Sequence, residues 1–472
     1  MKPYSTKPIL AFLHYKSQRL SFPFVFVFTT TDVVLPPKRT LLHDPSSTML
    51  QSTDAVFNDL FEDYAEQGFL SDGPPLARIS TPYYETWEDI ASQLPNLIQT
   101  SQIREKIDNM PVCTTEHLQT EPEWRRACVI MGYLAHAYIW GGKTPKDRLP
   151  PSISKPFLEI SAHLELPACA TYAGLTLWNF IPSHPEADIT DPDNLHVQTS
   201  FTGTKDEEWF MVISVAVEAK GAKLISLMRD AFKAVTTNDV DLLTALLCRF
   251  ADGLCDLTLT LKRMYEHNQP AIFFHQLRPF LAGSKNMGHA GLPNGVYYDV
   301  GDSDGMERPE NWLQLSGGSN AQSSLIQALD IFLGIKHSAT DGKQACGPSF
   351  IQQMRDYMPG PHRRFLEELS DRANVRSFIL DSPVQPLKDA YNATVNELKA
   401  FRDTHIQMVT RYIIMASRQP NPVEQGKGKM NLATASSQMK EAGAKTKLAG
   451  TGGTDLIPFL KKTRDTVQDA KC

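Results

Sequence analysis

Cysteine is scarce in this chain: seven in 472 residues, an odd count with no Cys-x-x-Cys pair. That argues against a disulfide framework and for free thiols in a reducing compartment. A basic stripe is missing too. Fifty-three acids outnumber 47 bases, for a formal charge of −6, which disfavours a phosphate backbone as partner. No run approaches the roughly 18 apolar residues that span a bilayer. Strand signals are few, limited to Phe22–Val34 and a short Val296–Val300. Acids are absent before Asp32, while the same stretch holds Lys2, Lys7, Lys16, Arg19 and the mostly apolar Leu20–Phe28. An acid-free basic leader reads as a mitochondrial presequence, a weak secretory core or a plain extension. The plain extension is favoured, and with it a cytoplasmic protein, a mitochondrial one being the alternative.

What remains is helix. Hydrophobic residues make up 42% and charged residues 21%, ordinary globular material long enough for two or three packed domains. Thr86–Ile103 carries an apolar face that Pro95 should split. Glu123–Trp140 ends at Gly141-Gly142, and a shorter helix is expected near Cys169–Phe180. Trp209–Val235 and Asn238–His267 are long. In the second, Leu243, Leu246, Leu247, Phe250, Leu254, Leu257 and Leu261 step by three and four, with Asn238 as a credible N-cap. The expected fold is all-α. An N-terminal extension covers 1–51, a small helical domain 52–200 and a larger helical domain 201–472. The polar, turn-rich 183–208 marks the boundary. The Lys-, Gly- and Ser-rich 417–449 is too poor in apolar residues to stay ordered, and a last amphipathic helix covers about 455–466.

The segment Pro386–Ala416 has neither glycine nor proline after its first residue. Tyr391, Leu398, His405 and Tyr412 recur every seven residues, which puts the His405 imidazole on the apolar stripe of a long helix. A buried imidazole needs partners, because an unpaired polar nitrogen costs about 1–3 kcal/mol. Iron in a flat apolar cofactor is one such partner. Taken alone, a single histidine on such a stripe is more often a hydrogen-bonded core residue.

Three short segments carry further chemistry. Ser316–Ser324 (SGGSNAQSS) opens a helix. It is either an N-cap rich in serine or a place where Gly317 and Gly318 let a flat ligand lie on backbone. Gly450–Thr454 (GTGGT) lacks the Gly-Lys-Ser/Thr ending of a phosphate loop. It reads as a hinge for a closing flap or as a flexible connection. In Phe273–Phe280 (FFHQLRPF) an arginine is flanked by aromatics. That combination suits an aromatic acid, whose carboxylate a guanidinium grips bidentately, although a surface cation–π contact is the commoner use.

Together these pieces form a pattern. RDTHIQMVTRYI (402–413), SGGSNAQSSLIQALDIFLGI (316–335), RDYMPGPHRRFLEELS (355–370), FFHQLRPFL (273–281) and GTGGTDLIPFLK (450–461) resemble the indoleamine 2,3-dioxygenase family, in the same order along the chain. So do LPNLIQTSQIREKI (94–107), YIWGG (138–142) and HLELPACATYAGLTLWNF (163–180). The resemblance spans roughly 64–466 and is closest to fungal members.

The resemblance implies a helical haem protein that inserts both atoms of O₂ across the indole C2–C3 bond of L-tryptophan, giving N-formylkynurenine. By it, His405 is the proximal ligand to the iron of haem b, Asp330 orients that ligand, and Arg402 pairs with a haem propionate. Arg278 binds the substrate carboxylate, while Tyr172, Phe210 and Phe273 wall the indole. Ser214 sits at the distal position, Gly318 near the haem edge, and Thr451 contacts the substrate amine. An external electron donor keeps the iron ferrous, and the chain is expected to be a monomer. Leu175 and Thr176 stand where animal enzymes have Cys and Val. Met211 replaces a second Phe, and Asn320 a small Ala. A low-turnover haem oxygen carrier or sensor of the same fold is the competing expectation.

Overall fold

The computed structural model describes residues 60–64, 66–301, 306–337, 349–421, 436, 438–439, 447–448, 450–451 and 456–472. The basic leader, the Phe22–Val34 run and most of 417–449 lie outside the described residues. Met49–Cys472 form one compact unit. Helices dominate it, and among the described residues none is long and apolar enough to cross a membrane.

Pro95 does break its helix: α1 (Glu85–Ser92), α2 (Leu94–Gln99) and α3 (Ile103–Asp108) replace one continuous run. α4 (Glu121–Trp140) starts in a capping box in which Thr120 and Glu123 satisfy each other's backbone donors. Its C-terminal carbonyls are held by Arg104, which donates to Tyr138 O and Ile139 O at 2.8 and 2.9 Å. A Cβ on Gly142 would sit 2.2 Å from that guanidinium, so the glycine pair ends the helix by admitting an arginine. α5 (Pro151–His163) packs on α4.

The polar 183–208 stretch is built in rather than loose. Strands Phe180–Pro182 and Leu195–Val197 pair antiparallel across it. The buried Glu207 carboxylate accepts from Phe201 N, Thr202 N and Ser200 Oγ within 2.6–2.8 Å. Those bonds tie the incoming loop to α6 (Lys205–Thr236), whose first turn holds Asp206, Glu207 and Glu208 at the positive end of the helix dipole. A small three-stranded sheet joins Arg148–Leu149, Val296–Tyr298 and Trp312–Leu313.

α7 (Val240–Lys262) buries its leucine stripe, each side chain contributing about 1.5–3 kcal/mol by leaving water. Its cap is Asp239, which accepts from Leu242 N at 2.9 Å, not Asn238. Asn238 instead takes a positive φ of 55° and closes the preceding helix, a conformation asparagine tolerates better than most residues. The remaining helices are α8 (Ser324–Phe332), α9 (Gly360–Arg372), α10 (Val375–Asp381), α11 (Gln385–Val409) and α12 (Leu456–Gln468). α11 packs along α7 and also contacts α12.

One buried ion pair ties the early helices to the 183–208 segment. Glu88 and Arg126, 2% and 5% exposed, meet at 2.6 Å, and Arg126 Nη1 also donates to Thr199 Oγ1 at 2.9 Å. Removing one partner strands the other charge in a dry interior. Glu88→Ala is therefore expected to cost about 3–5 kcal/mol in urea unfolding, and a loss under 1 kcal/mol would refute the pairing as a structural tie.

Candidate active site

Two adjoining cavities open where α6, α8, α11 and α12 converge, with about 910 and 1170 Å³ of empty space. They share Tyr172, Asn320 and His405 as walls.

His405 projects from α11 into both. Its stripe behaves as the heptad spacing implies: Tyr391 and Leu398 are fully buried, and Tyr412 donates to Asn268 O at 2.7 Å. Burial, and then the Arg402 charge, push the imidazole down to about pKa 4, so it is neutral near pH 7 with a lone pair available. Neither of its ring nitrogens bonds to a described residue. His136 shows the contrasting case. It is 3% exposed, more deeply buried than the half-buried His405, and its Nδ1 meets Phe280 O at 2.7 Å while its Nε2 accepts from Ala170 N at 3.1 Å. His136 is the satisfied core histidine, and His405 is not.

The smaller cavity also takes Ser214, Glu218, Asp330 and Arg402. Asp330 does not hydrogen-bond His405, contrary to expectation. Its carboxylate accepts from Arg402 Nη2 at 2.5 and 2.6 Å and lies 2.8 Å from His337 Nε2. Burial alone would raise its pKa, but Arg402 and His337 hold it below the usual value. Arg402 Nη2 thus engages both carboxylate oxygens, and among the described residues the carboxylate makes no bond to the imidazole. Arg402 in turn keeps a buried Nε without an acceptor among the described residues.

The larger cavity is lined by Phe210, Phe273, Arg278, Gly318 and Thr451, with Leu175, Thr176 and Met211. Phe210 and Phe273 rings lie 4.9 Å apart, and Tyr412 meets Phe273 edge-on at 5.7 Å. Arg278 is fully buried, and desolvation lowers it from its ordinary value to about 10, still charged at neutral pH. Its guanidinium carbon stands 5.8 Å from the Phe274 ring centroid. Thr451 donates to Gly318 O at 2.8 Å, and Gly317 N donates to Thr451 O. The start of the glycine-rich GTGGT segment is thereby pinned beside the cavity, while residues 452–455 lie outside the described residues.

Gly317 and Gly318 do different things. A Cβ on Gly317 would fall 2.1 Å from Leu281 O and 2.4 Å from Gly283 N, so that glycine lets two backbones touch and does not face a ligand. Gly318 faces the larger cavity, beside Leu175. Serines cap as the sequence implies: Ser323 accepts from Ile326 N at the start of α8.

Every site residue expected from sequence therefore lines one cavity or the other. Missed was Glu218, four residues after Ser214 on the same face of α6. An acid inside the otherwise apolar VISVAVEA (212–219) was the available signal. Also unforeseen are three π-helical stretches, Ala173–Leu177 after Tyr172, Phe273–Leu277 before Arg278, and Thr410–Met415 after His405. The first replaces the short helix expected near 169–180. Such wide turns recur at functional sites because they re-aim side chains.

The family model for indoleamine 2,3-dioxygenase matches residues 60–470. The chain belongs to the indoleamine 2,3-dioxygenase family. It is 40% identical over 413 residues to indoleamine 2,3-dioxygenase qulI of Penicillium citrinum, covering 86% of each chain. It is 40% identical over 411 residues to the acdA enzyme of Aspergillus candidus, covering 86% of this chain and 95% of that one. Against the indoleamine 2,3-dioxygenase of Saccharomyces cerevisiae the identity is 39% over 423 residues, covering 84% of this chain and 90% of the yeast enzyme. This is a family of haem dioxygenases, and the residues present fit that group. His405 offers a neutral imidazole to the iron of such a group. The walls around it, Leu261, Val409, Ile413, Phe459 and Leu460, are apolar, as a porphyrin face requires.

Proposed function

We propose that this enzyme cleaves the indole C2–C3 bond of L-tryptophan with O₂, yielding N-formylkynurenine, in tryptophan degradation and kynurenine supply for NAD synthesis. One observation carries the reading: a fully buried arginine, Arg278, borders an aromatic cavity that also receives an imidazole bonded to no described residue. A guanidinium at the edge of aromatic walls suits a carboxylate on an apolar body, which it can grip bidentately.

His405 would hold haem b by one ring nitrogen. Arg402 would release Asp330 to meet a propionate. Bound haem supplies the iron at which O₂ is activated. The chain's own residues then bind and orient. Arg278 takes the carboxylate bidentately, Phe210, Phe273 and Tyr172 wall the indole, and Thr451 closes over the amine while water is excluded. Ser214, on the wall of the smaller cavity, donates to Phe210 O at 3.3 Å. An oxygen carrier would need no carboxylate clamp, so that alternative is not favoured. The reading further takes the protein as a cytoplasmic monomer served by an external electron donor.

The test is direct. Protein reduced without oxygen, then given O₂ and L-tryptophan, is expected to develop N-formylkynurenine absorbance. A haem-replete preparation that forms none would overturn the reading.

A further inference from the structure

Glu218 is an acid with no evident reason to be where it is. It sits on α6, 1% exposed, on the wall of the smaller cavity with Ser214 and His405. Its Oε1 accepts two hydroxyls, from Tyr172 Oη at 2.9 Å and Ser323 Oγ at 2.6 Å. Its Oε2 is buried and has no partner among the described residues. No arginine, lysine or histidine pairs with it in the described structure.

A buried carboxylate with no cation and a bare oxygen is among the costlier things a protein can hold, and such a group takes up a proton instead. As a neutral acid it carries one O–H. Two donors already occupy Oε1, so the proton belongs on Oε2. We propose that Glu218 works as a neutral carboxylic acid. Its Oε1 locks the Tyr172 ring and the Ser323 cap of α8 together, and its Oε2–H is a hydrogen-bond donor for a small oxygen-bearing ligand, water in the resting protein, within the cavity that His405 lines. Burial also raises its pKa to about 7, against which the two hydroxyls pull only partly. The consequence is positional: Tyr172 forms part of the wall only while Glu218 holds its hydroxyl. That role rests on the proposed tryptophan reading, whereas the protonation state does not.

The two parts are tested separately. Infrared spectra of the haem-loaded protein in mildly acidic buffer are expected to contain a carbonyl band of a protonated, buried carboxylic acid. That band should shift in D₂O and be missing in E218Q. A spectrum with no E218Q-dependent acid band would overturn the neutral-acid assignment, whether or not the protein turns over tryptophan. For the positioning role, E218L removes both hydroxyl acceptors and should raise the tryptophan KM about tenfold, the equivalent of one lost hydrogen-bonded anchor, with haem loading kept. E218Q restores a carbonyl for the two hydroxyls and an N–H toward the cavity, and should bring KM back to within about threefold. If E218Q is as impaired as E218L, a charge is needed and the proposal fails. It fails equally if E218L binds tryptophan normally. Wild-type protein that forms no product would sink the tryptophan reading, while the infrared result stands by itself.

Discussion

His405→Ala protein, expressed with ample haem, is expected to purify without a Soret band yet with the far-ultraviolet spectrum of a folded helical protein. The argument runs through what His405 does not touch. Truncating a hydrogen-bonded core histidine would leave its partner unsatisfied, at about 1–3 kcal/mol. Here neither ring nitrogen bonds to a described residue, and the ring edge faces empty space. The haem-free protein should thus unfold within about 1 kcal/mol of wild type, while haem affinity collapses for want of an axial ligand. Added imidazole fits the space left behind and is expected to restore a Soret band. Full haem content in the unsupplemented variant would refute the ligand assignment.

The second large effect concerns Arg278. Arg278→Ala should load haem normally and raise the tryptophan KM by at least about 30-fold, since truncating one partner of a buried charge pair typically costs 2–5 kcal/mol. Most of that cost is the substrate carboxylate, left in a desolvated pocket with no cation. Arg278→Lys keeps the charge but loses the planar fork, and an intermediate KM is expected. Charge alone is not the whole of the clamp. A tryptophan KM within twofold of wild type in the alanine variant would remove Arg278 from the substrate site. Indole analogues without a carboxylate give a useful contrast, because the alanine substitution should barely change their binding.

Much of this was visible along the chain. The heptad of Tyr391, Leu398, His405 and Tyr412 and the leucine stripe of α7 are statements about one helix, and a single period decides which face is buried. The same holds for Pro95, which breaks its helix through its own ring. Serine caps and the aromatic–arginine cluster before Pro279 are equally local, whereas the Gly141-Gly142 stop also draws on Arg104 from α3. Errors arose where neighbours compete. Asn238 and Asp239 both cap well, and only the backbone path shows that Asn238 is spent in the left-handed turn that ends α6. Gly317 looked like a place for a ligand, but its space belongs to the backbone of residues 281–283.

By itself, the order of residues determined that this is a helical protein, that an imidazole faces inward from a long helix, and that an arginine stands among phenylalanines. Those follow from periodicity and from side-chain chemistry, neither of which needs a partner far along the chain. Tertiary structure alone decided which charges were already spoken for. Asp330 and Arg402 are 72 residues apart and meet at 2.5 Å, which takes the carboxylate away from His405. Glu218 and Ser323 are 105 apart, and burial with no cation beside it among the described residues is what favours the neutral acid. Charge state in an interior is set by the nearest compensating group, and nearness across a fold is not written in sequence spacing.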